Sequence, residues 1–192
     1  LMATSQRYVI EELLASYDFS QHHCVMDVGG GQGGWITALG QHHTQLQLML
    51  FDLPPVAALA QARFEANGLG RRAIAHGGSF ISDSLPKGAD LVTLVRVAHD
   101  HPDATVKALL KSIHQALPVG GMLLLAEPMA QATGAHSVGD AYFHFYLLAM
   151  GSGRLRSPEE LTSLLKEAGF ASVVNIANPM PLHTRLLLAQ KN

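Results

Sequence analysis

Short apolar runs alternate along this chain with stretches in which apolar residues recur every three or four positions. The runs at 24–28 and 122–127 are apolar at nearly every position, which is typical of strands buried on both faces of a parallel sheet. Residues 5–16 instead place apolar side chains at helical spacing. The two patterns alternate to the end of the chain, and this order predicts a doubly wound α/β sheet.

Turn and capping residues mark the ends of these elements. Pro54 and Pro55 are expected to stop the second strand, and the helix before that strand is expected to end near Gly40. A capping box from Ser157 to Glu160 predicts the start of the last helix. The apolar segments predicted as strands are CVMDV, LQLMLFDLP, RRAIAHGGSF, ADLVTLVRVAHD, MLLLAEPM, ASVVNIA and HTRLLLAQ.

Composition narrows the class of protein. The 192 residues, 48% of them hydrophobic, supply the core of one globular domain. A formal net charge of -2 leaves no basic stripe for nucleic acid, and neither a signal peptide nor a membrane-spanning apolar run is visible. We therefore expect a cytoplasmic protein without a nucleic-acid partner or a transmembrane segment. Cys24 is expected to be a small buried hydrophobe, and His22 and His23 are expected in a solvated turn.

The stretch VMDVGGGQGGW, residues 25–35, carries four glycines in five positions directly after the first predicted strand. Gly29, Gly31 and Gly33 are predicted to form a tight turn and to let a ligand approach the backbone at a helix N-terminus. Their spacing differs from the G-x-G-x-x-G of dinucleotide-binding loops. A turn that needs glycine only for its own geometry is the alternative.

Two aspartates accompany this loop and argue for a ligand. Asp52 follows Gly33 by 19 residues, at the end of the second predicted strand, where a carboxylate can accept hydrogen bonds from both hydroxyls of a ribose. Asp27 precedes the loop, and an acid there suits a ligand with an ammonium group better than one with a pyrophosphate. Together the two acids indicate S-adenosylmethionine. A dinucleotide oxidoreductase is the alternative that the glycine spacing disfavours.

These motifs resemble those of the class I S-adenosylmethionine-dependent O-methyltransferases, the family of plant caffeate and bacterial small-molecule enzymes. VMDVGGGQGG, FDLPPV, GGSF, LVRVAHDHPD, ALPVGGMLLLAEP and RSPEELTSLLKEAGF follow the family's order over nearly all of the chain. The segment GDAYFHFYLLAMGSGRLRS is most similar to the hydroxyneurosporene (demethylspheroidene) O-methyltransferases of carotenoid synthesis. The resemblance implies a Rossmann-like seven-stranded sheet, mostly parallel with an antiparallel closing strand. It identifies residues 1–192 as the catalytic domain, without the N-terminal dimerisation domain of the family.

Methyl transfer to a hydroxyl needs a group that takes up the hydroxyl proton. His99, after the fourth predicted strand, is the candidate base, and the resemblance implies the same role because the family's base histidine precedes an aspartate, as His99 precedes Asp100. The alternative is a histidine that only completes the hydrogen bonds of a loop. His101 with His99 lacks a third ligand at a useful spacing, so no metal site is predicted.

Two further positions bear on this base. By resemblance, Glu127 is one of two glutamates that orient the base in the plant enzymes; alternatively it makes a structural hydrogen bond at a strand end. The second glutamate of the plant enzymes is replaced here by Leu155. This departure indicates a different or more apolar acceptor.

The resemblance also implies further contacts to the cofactor and to the acceptor. A weak contact is expected from Gly78, since the family often has an acid there, and Arg96 either faces the cofactor or is a surface residue that pairs with a neighbour. The remaining predicted cofactor contacts are Leu53, Ser79 and Phe80. An apolar acceptor pocket is predicted from four side chains that share one helical face, although such stripes also occur in cores: Tyr142, Phe145, Tyr146 and Met150.

The combined prediction is an enzyme that transfers the methyl group of S-adenosylmethionine to a hydroxyl oxygen of a hydrophobic acceptor. By resemblance the acceptor is a hydroxylated carotenoid, which implies a membrane-peripheral location. One alternative is a phenol or another small aromatic alcohol. Another is a cofactor-binding module that is inactive without an N-terminal half, and a homodimer is expected only if that half is present.

Overall fold

A computed structural model describes residues 2–130, 152–179 and 184–192. The strands in these ranges are β1 Cys24–Val28, β2 Gln47–Asp52, β3 Ala73–Gly77, β4 Leu91–Val95, β5 Met122–Glu127, β6 Ser172–Ile176 and β7 Arg185–Gln190. These seven described strands form one sheet in the order β3-β2-β1-β4-β5-β7-β6. Only β7 runs against its neighbours β5 and β6, and all other pairs are parallel. The predicted fold class is confirmed.

Helices cover both faces of this sheet. They are α1 Met2–Ser16, α2 Gly34–His42, α3 Pro54–Ala66, α4 Asp103–Ala116 and α5 Pro158–Glu167. The first three pack on one face, and α4 and α5 pack on the other. None of the helices in the described part of the chain combines the length and hydropathy that a membrane crossing requires.

The apolar runs serve two core layers at once. In β1, Val25 packs with α1, α2 and α3, whereas its neighbour Met26 packs with α4 and α5. In β5, Leu124 faces the first layer and Leu123 the second. Successive strand residues point to opposite faces of a sheet, so a strand covered by helices on both sides is apolar throughout.

Gly40 and Pro54 lie near the ends of two helices. α2 ends at His42, two residues beyond Gly40, so Gly40 itself lies inside the helix. A Cβ at Gly40 would lie 2.7 Å from Leu48 Cδ1 and 3.0 Å from Leu69 Cδ1, and glycine therefore allows α2 to approach the sheet closely. Pro54 ends β2 as predicted, and it also begins α3, since proline suits the first turn of a helix.

His22 is buried in a polar cluster, and its predicted place in a solvated turn is wrong. Its Nε2 lies 2.7 Å from Tyr17 Oη, and its Nδ1 lies 3.7 Å from Asp90 Oδ2. Burial lowers the pKa of His22 and raises the pKa of Tyr17 to about 12. Asp90 also accepts hydrogen bonds from the amides of His23 and Cys24, and Cys24 is only partly buried. This cluster closes the amino edge of the sheet, opposite the predicted functional residues.

Candidate active site

The predicted functional residues that the structure describes lie at the carboxyl edge of the sheet, where the strand order reverses. The chain leaves β1 towards β2 and leaves β4 towards β5, on opposite sides. Two cavities of about 310 Å³ and 440 Å³ open between the loops that follow β1 and β4. Both cavities are lined by Gly29 and Arg96, one from each loop. Ligands of open α/β sheets bind at this switch point.

The first cavity, of about 310 Å³, brings together most of the predicted cofactor contacts. The predicted residues that line it are Gly29, Asp52, Leu53, Gly78, Ser79, Phe80 and Arg96. Ile81, Val97, Asp100 and His101 also line it and were not predicted to do so. The ring of His101 meets that of Phe80 edge-on at 5.3 Å. The cavity therefore combines apolar surface with two acids, Asp52 and Asp100.

Gly78 has a steric reason to be glycine. A Cβ at this position would lie 2.6 Å from Phe51 Cζ and 3.2 Å from Asp83 Oδ2. Asp83 already accepts a hydrogen bond of 2.8 Å from the amide of Ser79. The acid that the family often carries at this position therefore has no room here unless the Phe51 ring moves.

Asp52 joins the glycine loop to the end of β2. Its Oδ2 accepts a hydrogen bond of 2.8 Å from the amide of Gly31, and its Oδ1 accepts one of 2.7 Å from the amide of Leu53. The amide of Gly29 donates to the carbonyl of Phe51 at 2.8 Å. The Asp52 carboxylate is held in place by these bonds at the wall of the first cavity.

The second cavity, of about 440 Å³, surrounds the glycine loop and reaches Asp27. Asp27 is 1% exposed, and its Oδ1 accepts a hydrogen bond of 2.7 Å from Thr93 Oγ1. Thr93 in turn accepts one of 3.2 Å from Trp35 Nε1. Burial raises the pKa of Asp27 to about 7, the hydrogen bond from Thr93 opposes this rise, and the charge of Asp52 adds to it. A buried acid of this kind beside a cavity suits a cationic partner, which would favour its ionised form.

The glycines of the loop have separate roles. Gly31, with φ +57°, has open space where a Cβ would stand and lines the second cavity. Gly33, with φ +75°, lines neither cavity, and a Cβ there would lie 2.7 Å from Phe64 Cε1. Gly33 thus serves the packing of α2 on α3. Gly30 was not singled out from the sequence, but it must lack a Cβ because that atom would lie 2.5 Å from Asp27 Oδ2.

Helix α1 forms a wall of the second cavity that no sequence motif indicated. Gln6, Val9 and Ile10 line the cavity from this helix, and Arg63 lines it from α3. The spacing of the three α1 residues in the sequence is that of an ordinary amphipathic helix. Only the placement of α1 beside the glycine loop makes them part of the site.

Arg96 stands between the two cavities with a strained backbone. Its φ of +58° is the only left-handed value of a non-glycine residue in the described ranges. Its amide donates to the carbonyl of Ala126 at 2.8 Å, so the strain is anchored to β5. Such strain is found mainly at functional sites. Arg96 thus lines both cavities from a backbone that β5 holds in place.

His99 lies in a 3-10 turn, Ala98–Asp100, directly after β4 and is 2% exposed. Its Nδ1 lies 2.8 Å from Glu127 Oε2, and its Nε2 lies 3.3 Å from Asp100 Oδ1. In the tautomer whose Nδ1 donates to Glu127, Nε2 is the nitrogen that can accept a proton, and Asp100 Oδ1 is the group that faces it. His99 does not line either cavity, although its neighbour Asp100 lines the first.

Glu127 bonds both the backbone of the turn and the ring of His99. Its Oε1 accepts hydrogen bonds of 2.7 Å from the amides of Val97 and Ala98. Its Oε2 accepts a bond of 3.2 Å from the amide of His99, in addition to the contact with the imidazole. At 1% exposure, this carboxylate fixes the turn and the ring of His99 together.

The remaining predictions concern the acceptor pocket, Leu155 and a metal site. The predicted acceptor residues Tyr142, Phe145, Tyr146 and Met150 lie outside the described residues. Leu155 is described and is 7% exposed. Within the described ranges, no group of three or more His, Cys, Asp or Glu side chains is arranged to hold a metal ion.

Comparisons with known proteins agree with the geometry. A family model described as an O-methyltransferase domain matches residues 1–171. The demethylspheroidene O-methyltransferase of Cereibacter sphaeroides is 45% identical over 173 residues, which are 90% of this chain and 46% of that protein. The enzyme of the same name from Rhodobacter capsulatus is 42% identical over 191 residues, 100% of this chain and 47% of that protein.

The fold also matches solved structures. The crystal structure of human N-acetylserotonin methyltransferase in complex with SAM superposes with a TM-score of 0.82 at 26% identity, covering 98% of this chain and 52% of that one. The chain spans about half the length of the curated relatives it matches.

Proposed function

Since this chain belongs to the O-methyltransferase domain family, we propose that it transfers the methyl group of S-adenosylmethionine to a hydroxyl oxygen of a hydrophobic acceptor. The observation that carries the proposal is the pair of adjoining cavities, with Asp52 in one and the buried Asp27 in the other. The proposed acceptor is a hydroxylated carotenoid of the hydroxyneurosporene or demethylspheroidene type, as the names of the two bacterial relatives indicate. The proposed location is the cytoplasm, at the membrane surface where such a carotenoid is met.

The residues of the site fit this cofactor. In the first cavity, Asp52 is placed to accept hydrogen bonds from ribose hydroxyls, and Leu53 and Phe80 offer apolar surface to an adenine ring. In the second cavity, Asp27 offers a buried carboxylate to the ammonium of the methionine moiety. A pyrophosphate at the glycine loop would place its negative charge against Asp27, which argues against a dinucleotide. When bound, the cofactor supplies an electrophilic sulfonium methyl group.

In the proposed mechanism His99 takes up the proton of the acceptor hydroxyl at Nε2. Glu127 keeps the ring hydrogen on Nδ1 and stabilises the imidazolium that forms, because its carboxylate lies 2.8 Å from that nitrogen. A tertiary alcohol of a carotenoid is much less acidic than a phenol. The proton therefore has to leave while the new oxygen–carbon bond forms, and His99 acts as general base in the transition state.

Leu155 supports an apolar acceptor. It is 7% exposed and lies between Arg154 and Arg156, which bond the His99 turn, near the place of the plant enzymes' second glutamate, and it brings no charge to the base. A hydrocarbon chain loses little by desolvation in such surroundings, whereas a polyhydroxylated ring would lose hydrogen bonds.

Transfer of a labelled methyl group tests the proposed function. The purified protein is supplied with labelled S-adenosylmethionine and, in parallel, with a 1-hydroxycarotenoid or a simple catechol. Label in the carotenoid supports both the reaction and the acceptor, and label in the catechol alone replaces the acceptor. If the cofactor binds and neither acceptor is labelled, the assay is repeated with a longer chain that carries an N-terminal half, because we propose residues 1–192 as the catalytic domain of a dimeric enzyme. Failure of that chain as well would refute methyl transfer to either class.

Asp52→Ala is expected to weaken the binding of S-adenosylmethionine by about 1–3 kcal/mol, since charge-assisted hydrogen bonds to the ribose are lost. Isothermal titration calorimetry measures this change. The matched control is Asp90→Ala, which likewise removes a carboxylate that caps two backbone amides, but at the opposite edge of the sheet. The control is expected to lower thermal stability without changing the affinity. Equal affinity in both variants would contradict the ribose assignment.

The affinity for S-adenosylmethionine is expected to fall as the pH drops below about 7, the raised pKa of Asp27. Below that pH the free protein holds a proton on Asp27, whereas an ammonium partner favours the ionised carboxylate. Binding must therefore release the proton, which lowers the affinity by up to about tenfold per pH unit. Above roughly pH 8 the ligand's own amino group loses its charge, which bounds the window from the other side.

Calorimetry in two buffers of different ionisation enthalpy counts this released proton. The asparagine of Asp27→Asn cannot release a proton. The affinity of this variant for S-adenosylmethionine is therefore expected to be lower than that of the wild type and to vary little between pH 5.5 and pH 7. An unchanged pH dependence in Asp27→Asn would show that another group titrates.

A further inference from the structure

Four consecutive carbonyls of the His99 turn accept hydrogen bonds from one short segment, residues 152–156, which we name the strap. The acceptors are the carbonyls of residues 98–101, so the strap follows the whole turn. The bonds are Arg156 Nη1 to Ala98 O at 2.8 Å, Arg154 N to His99 O at 3.0 Å, Ser152 Oγ to Asp100 O at 3.1 Å and Arg156 Nη2 to His101 O at 2.7 Å.

Arg156 is the centre of the strap. It is 2% exposed, and its guanidinium spans the turn from the carbonyl of Ala98 to that of His101. Its Nε donates to Asp103 Oδ1 at 2.9 Å, at the first residue of α4. Arg154 binds the same carboxylate, and the hydrogen bonds from Arg154 and Arg156 lower the pKa of Asp103 to about 2. The planar fork of arginine allows one side chain to hold two carbonyls and a carboxylate.

The strap fits closely against the turn. Gly153 has a φ of +85°, and a Cβ there would collide with the carbonyl oxygen of His99 and lie 2.7 Å from the carbonyl carbon of Asp100. The two segments are therefore in backbone contact at His99 itself. A small shift of the strap has to move the backbone from which the imidazole projects.

We propose that Arg156 is a positioning residue for His99, and this inference rests on the proposed function of that histidine. The carboxylate of Glu127 accepts hydrogen bonds from the amides of the turn and contacts Nδ1 of the His99 ring. The strap donates hydrogen bonds to the carbonyls of the same turn. The ring direction, and with it the position of Nε2, depends on both. A displacement of about 1 Å at a catalytic group can cost about a hundredfold in rate.

The experiment compares Arg156→Met with the matched control Arg72→Met. Arg72 is likewise an arginine whose guanidinium holds backbone carbonyls, those of Gly40, His43 and Leu46, but these lie at the amino edge of the sheet, away from His99. The readouts are the methyl-transfer rate, the affinity for S-adenosylmethionine and the imidazole ¹⁵N shifts of His99, assigned through their loss in His99→Asn. The shifts report the tautomer and protonation of the ring without any turnover.

Arg156→Met is expected to lower kcat by about ten- to a hundredfold, to leave the cofactor affinity within about twofold, and to change the ¹⁵N shifts and titration of His99. Arg72→Met is expected to leave all three unchanged within about twofold. If Arg156→Met does not fold, Arg156→Lys serves instead, and we expect it to retain part of the rate because an ammonium reaches fewer of the three acceptors.

Two results would overturn the inference. One is an Arg156 variant whose His99 shifts, titration and kcat match those of the control. The other is an Arg156 variant that loses rate while His99 keeps its wild-type shifts, since the arginine would then act elsewhere. Failure of the proposed function is a separate observation, namely a His99→Asn variant with normal turnover, and the ¹⁵N comparison still decides whether Arg156 positions the ring.

Discussion

Replacing His99 by asparagine is expected to lower the rate of methyl transfer by about a hundredfold or more while the affinity for S-adenosylmethionine stays the same. Asparagine keeps a polar group that can reach Glu127, but it offers no basic nitrogen to the acceptor hydroxyl. His99 lines neither cavity, so the cofactor loses no contact. Single-turnover transfer of labelled methyl measures the rate, and calorimetry measures the affinity.

His22→Asn is the control for this prediction. His22 is also buried and also bonded to a polar side chain, but it lies at the amino edge of the sheet. Its replacement is expected to lower the thermal stability and to leave the rate within about twofold, as befits a change that touches no group of the active site. A His99→Asn variant with more than about a tenth of the wild-type rate would exclude His99 as the general base.

Glu127→Gln is expected to destabilise the fold by about 3 kcal/mol and to lower the methyl-transfer rate at least tenfold, because a buried partner of several donors is changed. Glu127 accepts from three amides and the imidazole of His99. The NH₂ group of the glutamine faces one pair of these N–H donors. That pair then loses its acceptor, because two hydrogen-bond donors face each other. Urea denaturation measures the free energy of unfolding, and the labelled-methyl assay measures the rate.

Glu127→Asp separates the two effects. It keeps the charge and the acceptor oxygens but shortens the reach, so we expect smaller losses than in Glu127→Gln for both quantities. If Glu127→Gln instead unfolds like the wild type and transfers methyl at the same rate, neither the anchoring of the turn nor the orientation of the ring depends on the charge of this carboxylate.

The two proposals share one physical feature, which is that the turn of His99 is held from both sides. Glu127 belongs to β5 and comes from the centre of the sheet, whereas the strap directly precedes α5. Arg154 also bonds Glu160 Oε1 at 2.9 Å, so the strap, α4 and α5 are joined through charged groups. A base that is buried and oriented in this way loses little entropy when it accepts a proton.

Local features of this protein were determined by the sequence. β1 has the predicted bounds, and the capping box at Ser157 and Glu160 is formed as expected, with bonds of 3.3 Å and 2.8 Å. The pairing of Asp52 with the glycine loop also follows from order along the chain, because the ends of adjacent parallel strands meet at one edge. Such features depend on side-chain periodicity and on hydrogen bonds that span a few residues.

The tertiary structure decided what depends on contacts between distant residues. Gly40 marked a nearby helix end and is also a site of close packing, and His22 looked exposed but is enclosed by Tyr17 and Asp90. The bonds from Arg156 to the His99 turn join residues 55 and 58 positions apart. No local pattern encodes these contacts, since each arises only when separate helices and strands pack on the same sheet. The sequence therefore indicated the candidate residues of the site, and the packing of the fold determined how they are held.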